Sequence, residues 1–495
     1  MRHESVTADN SPAMFSLRRQ GVDFANSHSI YPTFTTPNAS VFATGHLLGD
    51  TGDFGNALYV GHAMRNGKTA TLTPFIENDS FLARLNHFFG GNYLQEETLM
   101  DLARRNGYAV ATVGKLGPTA IQDVTQVKSA GDDALAPCAC IIIDDSTGLH
   151  GIPLPENLLH EMKAAGLSAA ALDRSNGQPE PKQNNGRSGT LAANWMQQQY
   201  FASAVTEAIL PEFKKSGRPW FLVFWSRDPD GSQHSQGDSM GRLVPGINGP
   251  TSRAAIHNVD ANLWQIVDYL KDNGLFADTD IIVAADHGFS TISRREISRG
   301  GTPTASFAAT RLYADVQEGF LPPGFLAIDL AHALQQPLYD LDAPVSSPGN
   351  GKGGFYHPVH VAKDSRRAQH PVYGNSLIGG TGRVPGENDK TDAEVIVAAN
   401  GGSDLIYLPQ DGPARTEINK KLARTICDFL LQQDYVDGIF LRDDLGDLPG
   451  TLPMSAIGLM GATRIPKPAM IVNFKSFSLN ESLLSRVEIA DTPLL

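Results

Sequence analysis

The hydrophobic pattern alternates between short apolar runs and longer stretches with helical spacing. Ala139–Ile143, Trp220–Trp225 and Ile281–Ala285 are continuous apolar runs of strand length, and Tyr108–Val113 is one interrupted only by Thr112. Such runs suit strands buried on both faces. Between them lie amphipathic stretches. Glu96–Asn106 places Leu99, Leu102 and Ala103 on one side. Leu191–Lys215 repeats Trp195, Phe201, Val205, Ile209 and Phe213. Val259–Asn273 repeats Leu263, Ile266, Val267 and Leu270, with Gly274 as its stop. Near the start, Ser11-Pro12 opens a helix that Gly21 ends, and Pro37 and Gly45 bracket another. Strand and helix alternate, so the expected fold class is α/β: a doubly wound, mainly parallel sheet with helices on both faces. Beyond residue 300 the pattern predicts a helix within 322–341, strands at 393–399, 405–408 and 436–441, and a helix over 417–433. Residues 145–190 and 343–392 read as loop-rich insertions in a single domain spanning 1–495.

Composition narrows the class. The chain has 495 residues, 41% hydrophobic and 19% charged, with 48 Gly and 31 Pro. That describes a globular, loop-rich protein able to bury a large core. A net charge of −13 argues against a nucleic-acid polymer or an anionic membrane as partner. No run of 18 apolar residues exists to span a membrane, and no export signal is visible. Cys138 and Cys140 are too close for a relaxed bridge, and all three cysteines, Cys427 included, read as structural.

Candidate chemistry gathers where apolar runs end. Ile281–Ala285 stops at Asp286-His287-Gly288, and Trp220–Trp225 leads to Asp230 and His234, four residues apart across a glycine. Carboxylate and imidazole together suit a divalent metal, zinc above all. In open α/β sheets ligands bind at the carboxyl ends of strands. Thr35 or Thr36 falls at the start of the Pro37 helix, where backbone N–H groups and the helix dipole favour an oxyanion. Asn56 lies in a turn-rich loop and offers an amide donor. Lys115 follows a strand and is placed to meet a phosphoryl oxygen.

In their order along the chain, these places resemble the nucleotide pyrophosphatase/phosphodiesterase branch of the alkaline phosphatase superfamily. Pro32-Thr33-Phe34-Thr35-Thr36-Pro37-Asn38 is similar to its nucleophile motif, which puts the reactive hydroxyl on Thr35. Asn56 stands where that family keeps an oxyanion-binding Asn. Asp230 with His234, and Asp286 with His287, resemble its two zinc-ligand pairs. The resemblance implies two zinc ions, a phospho-threonine intermediate, a small phosphate ester as substrate, and a periplasmic or extracellular location. Phosphodiesters or nucleotide pyrophosphates are the expected substrates, with phosphate monoesters as the alternative.

Three departures accompany the match. The family's first strand, ending in a zinc-binding Asp, would fall before Met1. Its last zinc-binding His has no counterpart, since no His follows His370. The reading is therefore of a chain incomplete at both ends, with His150, His357 and His360 as alternative ligands and a catalytically inactive fold as the rival outcome. Third, where phosphomonoesterases of the group carry a second cation after the Lys, this chain has Gly117. That favours diesters.

Overall fold

The computed structural model describes all residues except 2, 67–68, 128–138, 150, 175–191, 235–248, 290–304, 317–320, 344–353, 362–367, 387–388 and 476–495. The chain divides into two compact units. The first comprises Met1–His46, Glu77–Glu180 and Ser188–Phe289; the second comprises Leu47–Ile76, Pro181–Arg187 and Ser290–Leu495.

In the first unit the helices are α1 (Pro12–Gln20), α2 (Thr35–Thr44), α3 (Asp79–Phe88) and α4 (Leu99–Arg105). Strand β1 (Ala109–Gly114) and the short α5 (Pro118–Ile121) follow, then β2 (Ile141–Asp144) and α6 (Glu156–Ala164). Helix α7 (Trp195–Ser203) runs through a π-helical segment into α8 (Leu210–Ser216). Strand β3 (Trp220–Trp225), the single turn α9 (Asp230–Gln233) and the long α10 (Pro250–Asp272) complete it. The strands pair in parallel in the order β2-β1-β3. One core joins Ala109, Ala111 and Val113 of β1 and Ile141 and Ile143 of β2 to Leu158, Met162, Phe201, Val205, Ile209 and Leu270 of the helices. The period-2 alternation of β1 thus selects the face that the amphipathic helices cover. Register aligns Gly114 with both Asp144 and Trp225, so the three strands end level. Gly114 makes this possible: its φ is +136°, and a Cβ there would lie 1.9 Å from the Trp225 carbonyl oxygen.

The second unit holds α11 (Phe325–Leu334), β4 (Leu338–Asp340), β5 (His357–Pro358), β6 (Ser376–Ile378), β7 (Val395–Ala399) and β8 (Ser403–Tyr407). It continues with α12 (Thr416–Leu430), β9 (Val436–Leu441), β10 (Leu452–Pro453) and β11 (Met470–Phe474). These strands form one sheet in the order β10-β9-β11-β8-β7-β6-β4-β5, antiparallel except for the β9–β10 pair. Helix α12 turns Ala423, Ile426, Cys427 and Leu430 into the core, with Lys420 and Arg424 outside.

The α/β class and the parallel sheet stand as expected from the pattern. One expectation is altered. Ile281–Ala285 joins no sheet among the described residues; Ile282 is 90% exposed. Among the described residues strand β3 pairs only with β1. Within the expected insertion 145–190, Glu156–Ala164 is a helix of the first unit with Leu158 and Met162 buried. Within 343–392, β5 and β6 extend the sheet of the second unit. Cys140 and Cys427 are buried and unbridged, as expected; Cys138 lies outside the described residues.

Candidate active site at the carboxyl edge of the parallel sheet

Level strand ends bring Lys115 (after β1), Asp145 (after β2) and Arg227 with Asp230 (after β3) to one edge of the first unit. Helix α2 presents Thr35 there as its first residue. Phe34 precedes it without a side-chain cap, and Gly45 ends the helix in the left-handed conformation. Asn38 fixes the approach: its side chain accepts from the Ile30 N–H (3.1 Å) and donates to the Phe34 carbonyl (2.9 Å).

Thr35 is 2% exposed. Its Oγ1 accepts from the Lys115 Nζ at 3.1 Å and lies 3.3 Å from the His287 Nε2. Lys115 Nζ also meets Asp230 Oδ2 at 2.9 Å and Glu77 Oε1 at 3.2 Å. Burial alone would pull the Lys115 ammonium down, but Asp230 and Glu77 outweigh it and hold its pKa above the ordinary value. Asp230 answers in kind. Burial opposes its charge, yet Lys115, His234 and His287 keep the carboxylate well below its usual range. The second oxygen, Asp230 Oδ1, is buried and lacks a well-aligned hydrogen bond. It faces His234 Nε2 at 3.2 Å and His287 Nε2 at 3.5 Å.

His287 Nδ1 lies 2.9 Å from the Gly288 carbonyl. A carbonyl only accepts, so Nδ1 is the donor in that contact. Asp286 Oδ2 stands 3.5 Å from the same Nε2, while Asp286 Oδ1 takes the His287 N–H. An imidazole and two carboxylates thus stand close together, which are donor types that a divalent metal accepts. Among the described residues no three such side chains are already set in metal-binding geometry, so the fit lies in the donor types.

The first unit therefore brings Thr35, Lys115, Asp230, His234, Asp286 and His287 together. Asn56 belongs to the second unit. There its loop is pinned by Asn400, which accepts from the Ala57 N–H and donates to the Ala57 carbonyl, both at 2.9 Å, while the Asn56 carbonyl takes the Ile76 N–H. His357 and His360 also lie in the second unit and are exposed; His150 is outside the described residues. Sequence reading missed Glu77, Asp145 and Arg227. Asp145 and Arg227 follow apolar runs, the same signal that revealed Lys115. Glu77 carries no local signal, because only the folded chain brings it to Lys115.

An α/β chain with a threonine, a lysine and a carboxylate–imidazole cluster at one edge of a parallel sheet is what the structure defines. The type I phosphodiesterase/nucleotide pyrophosphatase family matches residues 1–308, and the chain belongs to that family. Venom phosphodiesterase 2 and venom phosphodiesterase 1 of Crotalus adamanteus are each 28% identical over 110 residues; the match spans 22% of this chain but only 12% of their length. A phosphonoacetate hydrolase from Sinorhizobium meliloti 1021, solved with phosphonoformate, is 15% identical with a TM-score of 0.41, covering 98% of this chain and 82% of that one. Murine ectonucleotide pyrophosphatase/phosphodiesterase 5, in a complex with AMP, is 13% identical with a TM-score of 0.29, over 54% and 48% of the two chains. Neither structural likeness bears on the chemistry of the site. Among the described residues no helix is long and apolar enough to cross a membrane.

Proposed function

We propose that the protein hydrolyses phosphodiester or nucleotide pyrophosphate bonds through a phospho-threonine intermediate on Thr35. The contact that carries this reading is Thr35 Oγ1 between the Lys115 ammonium and the His287 imidazole. A hydroxyl so placed is polarised from both sides, at a helix start that favours its alkoxide. Thr35 Oγ1 attacks phosphorus, the bond to the leaving oxygen breaks, and a water then cleaves the phosphothreonine to return the enzyme. Lys115 and the N–H groups at the start of α2 hold negative charge on the non-bridging oxygens. Asn56 takes the oxyanion role from its place in the family's motif order. Asp230, His234, Asp286 and His287 would hold the metal, two zinc ions on this reading, which when bound supplies Lewis acidity that lowers the pKa of a hydroxyl or water. A periplasmic or extracellular location belongs to the same proposal.

Diesters are favoured over monoesters because Lys115 is already matched by Glu77 and Asp230. A dianionic monoester would need more positive charge at the reacting phosphorus. The test is Thr35→Ala on bis(4-nitrophenyl) phosphate. Turnover falls by about 10³-fold or more, as for loss of an essential nucleophile, with zinc content unchanged. Turnover retained by the variant rejects Thr35 as nucleophile.

A further inference from the structure

The three level strand ends meet at one carboxylate that the proposed reaction does not use. Asp145 directly follows β2 and is largely buried, its side chain 15% exposed. Its Oδ2 accepts from the Leu116 N–H at 2.8 Å, just after β1. Its Oδ1 accepts from the Gln197 amide of α7 at 3.1 Å. Arg227, shortly after β3, faces both oxygens: Nε lies 3.4 Å from Oδ1 and Nη1 3.5 Å from Oδ2. One anion thus ties the loops after all three strands to one helix. Leu116 is where this tie reaches the chemistry. It stands between the end of β1 and the Gly117 turn into α5, so its N–H turns to a side chain for its acceptor. The Lys115 N–H donates to the Trp225 carbonyl at 2.9 Å. Peptide units are planar, so fixing the N–H groups of Lys115 and Leu116 fixes both planes that flank the Lys115 Cα. The direction of the Lys115 side chain follows, and its Nζ stands 3.1 Å from Thr35 Oγ1. Charge acts in the same sense. Arg227 opposes the Lys115 ammonium, whereas Asp230 and Glu77 support it. Asp145 is the carboxylate that Arg227 faces, and a buried guanidinium without its counter-ion is costly.

We infer that Asp145 is a positioning residue for the proposed hydrolysis: by holding the Leu116 N–H and Arg227, it keeps the Lys115 ammonium on Thr35 Oγ1. This rests on the phosphodiesterase reading, in which Lys115 holds charge on the reacting phosphoryl. Asp145 acts through Lys115 and does not itself meet the substrate. An amide of the same shape cannot replace it. Its oxygen would accept from Leu116 or from Gln197, while its NH2 would face the donors that remain.

The test is a double-mutant cycle on the zinc-loaded full chain with Asp145→Asn and Lys115→Met. On bis(4-nitrophenyl) phosphate, Asp145→Asn lowers kcat about 30-fold or more, on the scale of a misplaced catalytic group, with KM within about threefold. In the Lys115→Met background the same change costs less than about threefold, because the group it positions is gone. Asp145→Glu keeps the charge for Arg227 and gives an intermediate kcat. Its smaller loss also disappears in the Lys115→Met background, so the cycle is read on either variant if the other does not fold. An unchanged kcat overturns the inference. So does an equal loss in both backgrounds, which marks Asp145 as structural. Calorimetric titration with orthovanadate, which adopts the five-coordinate geometry of a phosphoryl in transfer, repeats the cycle without turnover. Asp145→Asn weakens its binding at least about tenfold in the parent protein and less than about threefold beside Lys115→Met. Equal vanadate affinity in all four proteins overturns the inference. If the parent protein cleaves no phosphodiester, the phosphodiesterase reading fails, while the vanadate cycle still decides whether Asp145 acts through Lys115.

Discussion

Gly117 sits two residues after Lys115 with φ at +90°, and a Cβ there would lie 2.6 Å from the Glu77 Cα. The missing second cation therefore has a structural origin. The turn that lets Glu77 reach Lys115 has no room for a side chain, and its backbone conformation favours glycine. A monoesterase-like cation cannot be restored by simple substitution. Gly117→Arg should destabilise the protein by about 2–4 kcal/mol through strain and overpacking, without raising activity on a phosphate monoester. Urea denaturation and monoester assays read the two effects. A stable variant with increased monoesterase activity would show that position 117 tolerates a side chain and tunes specificity.

Helix α11 illustrates how one polar group fixes an apolar element. Phe325, Leu326, Ala327, Ile328 and Leu330 are all buried, and so is Asp329 at their centre. Its Oδ1 accepts from the Ala308 N–H (2.7 Å) and its Oδ2 from the Tyr435 hydroxyl (3.0 Å), tying the helix to two distant segments. Asp329→Ala leaves both donors buried without this acceptor and should cost about 2–4 kcal/mol; an unchanged urea midpoint would contradict the assignment. Nothing in the sequence marks Asp329, because a lone carboxylate in a helical run has no periodic signature. Elements with strong local signals were legible. The run Trp220–Trp225 is β3, and Val436–Leu441 is β9, residue for residue. Helix α2 begins at Thr35, the residue the family motif singles out. The misread run, Ile281–Ala285, has the right composition for a strand, but a ladder needs a neighbour and composition does not supply one. Its end nevertheless delivers Asp286 and His287 to the site. The metal-type residues were legible as pairs, whereas the convergence of both imidazoles on one Asp230 oxygen was not, since it arises from the fold of the first unit.

Across the whole molecule the net charge of −13 hides buried carboxylates whose protonation matters to stability. In the second unit, burial and then the neighbouring Asp340 push Asp342 from its ordinary 3.8 up to about 8, while the Asn375 amide donates to both of its oxygens. The folded state thus holds this proton more tightly than the unfolded chain. The stabilisation is full below about pH 4 and is lost as pH rises through about 8. Asp342→Asn keeps an acceptor for Asn375 and removes the titration, so the decline in Tm between pH 5 and 8 should be shallower in the variant; parallel curves would refute the role of Asp342.

On the proposed reading the site makes the opposite demand, for a cation rather than a proton. Asp230 spans both halves of it: Oδ2 matches Lys115, and Oδ1 stands before both imidazoles. Replacing it by Asn removes a charge felt by Lys115, His234 and His287 together. If the pairs Asp230–His234 and Asp286–His287 served independent metals, such a change would empty one position only. The geometry argues that it weakens both. Asp230→Asn should lose at least about 10–100-fold in zinc affinity, the scale for losing a group that merely supports a ligand, and bring zinc-loaded stoichiometry below one ion per chain. Elemental analysis after dialysis reads this directly. Two ions retained by the variant would mean that other side chains hold the metal, and the ligand assignment would have to move away from Asp230.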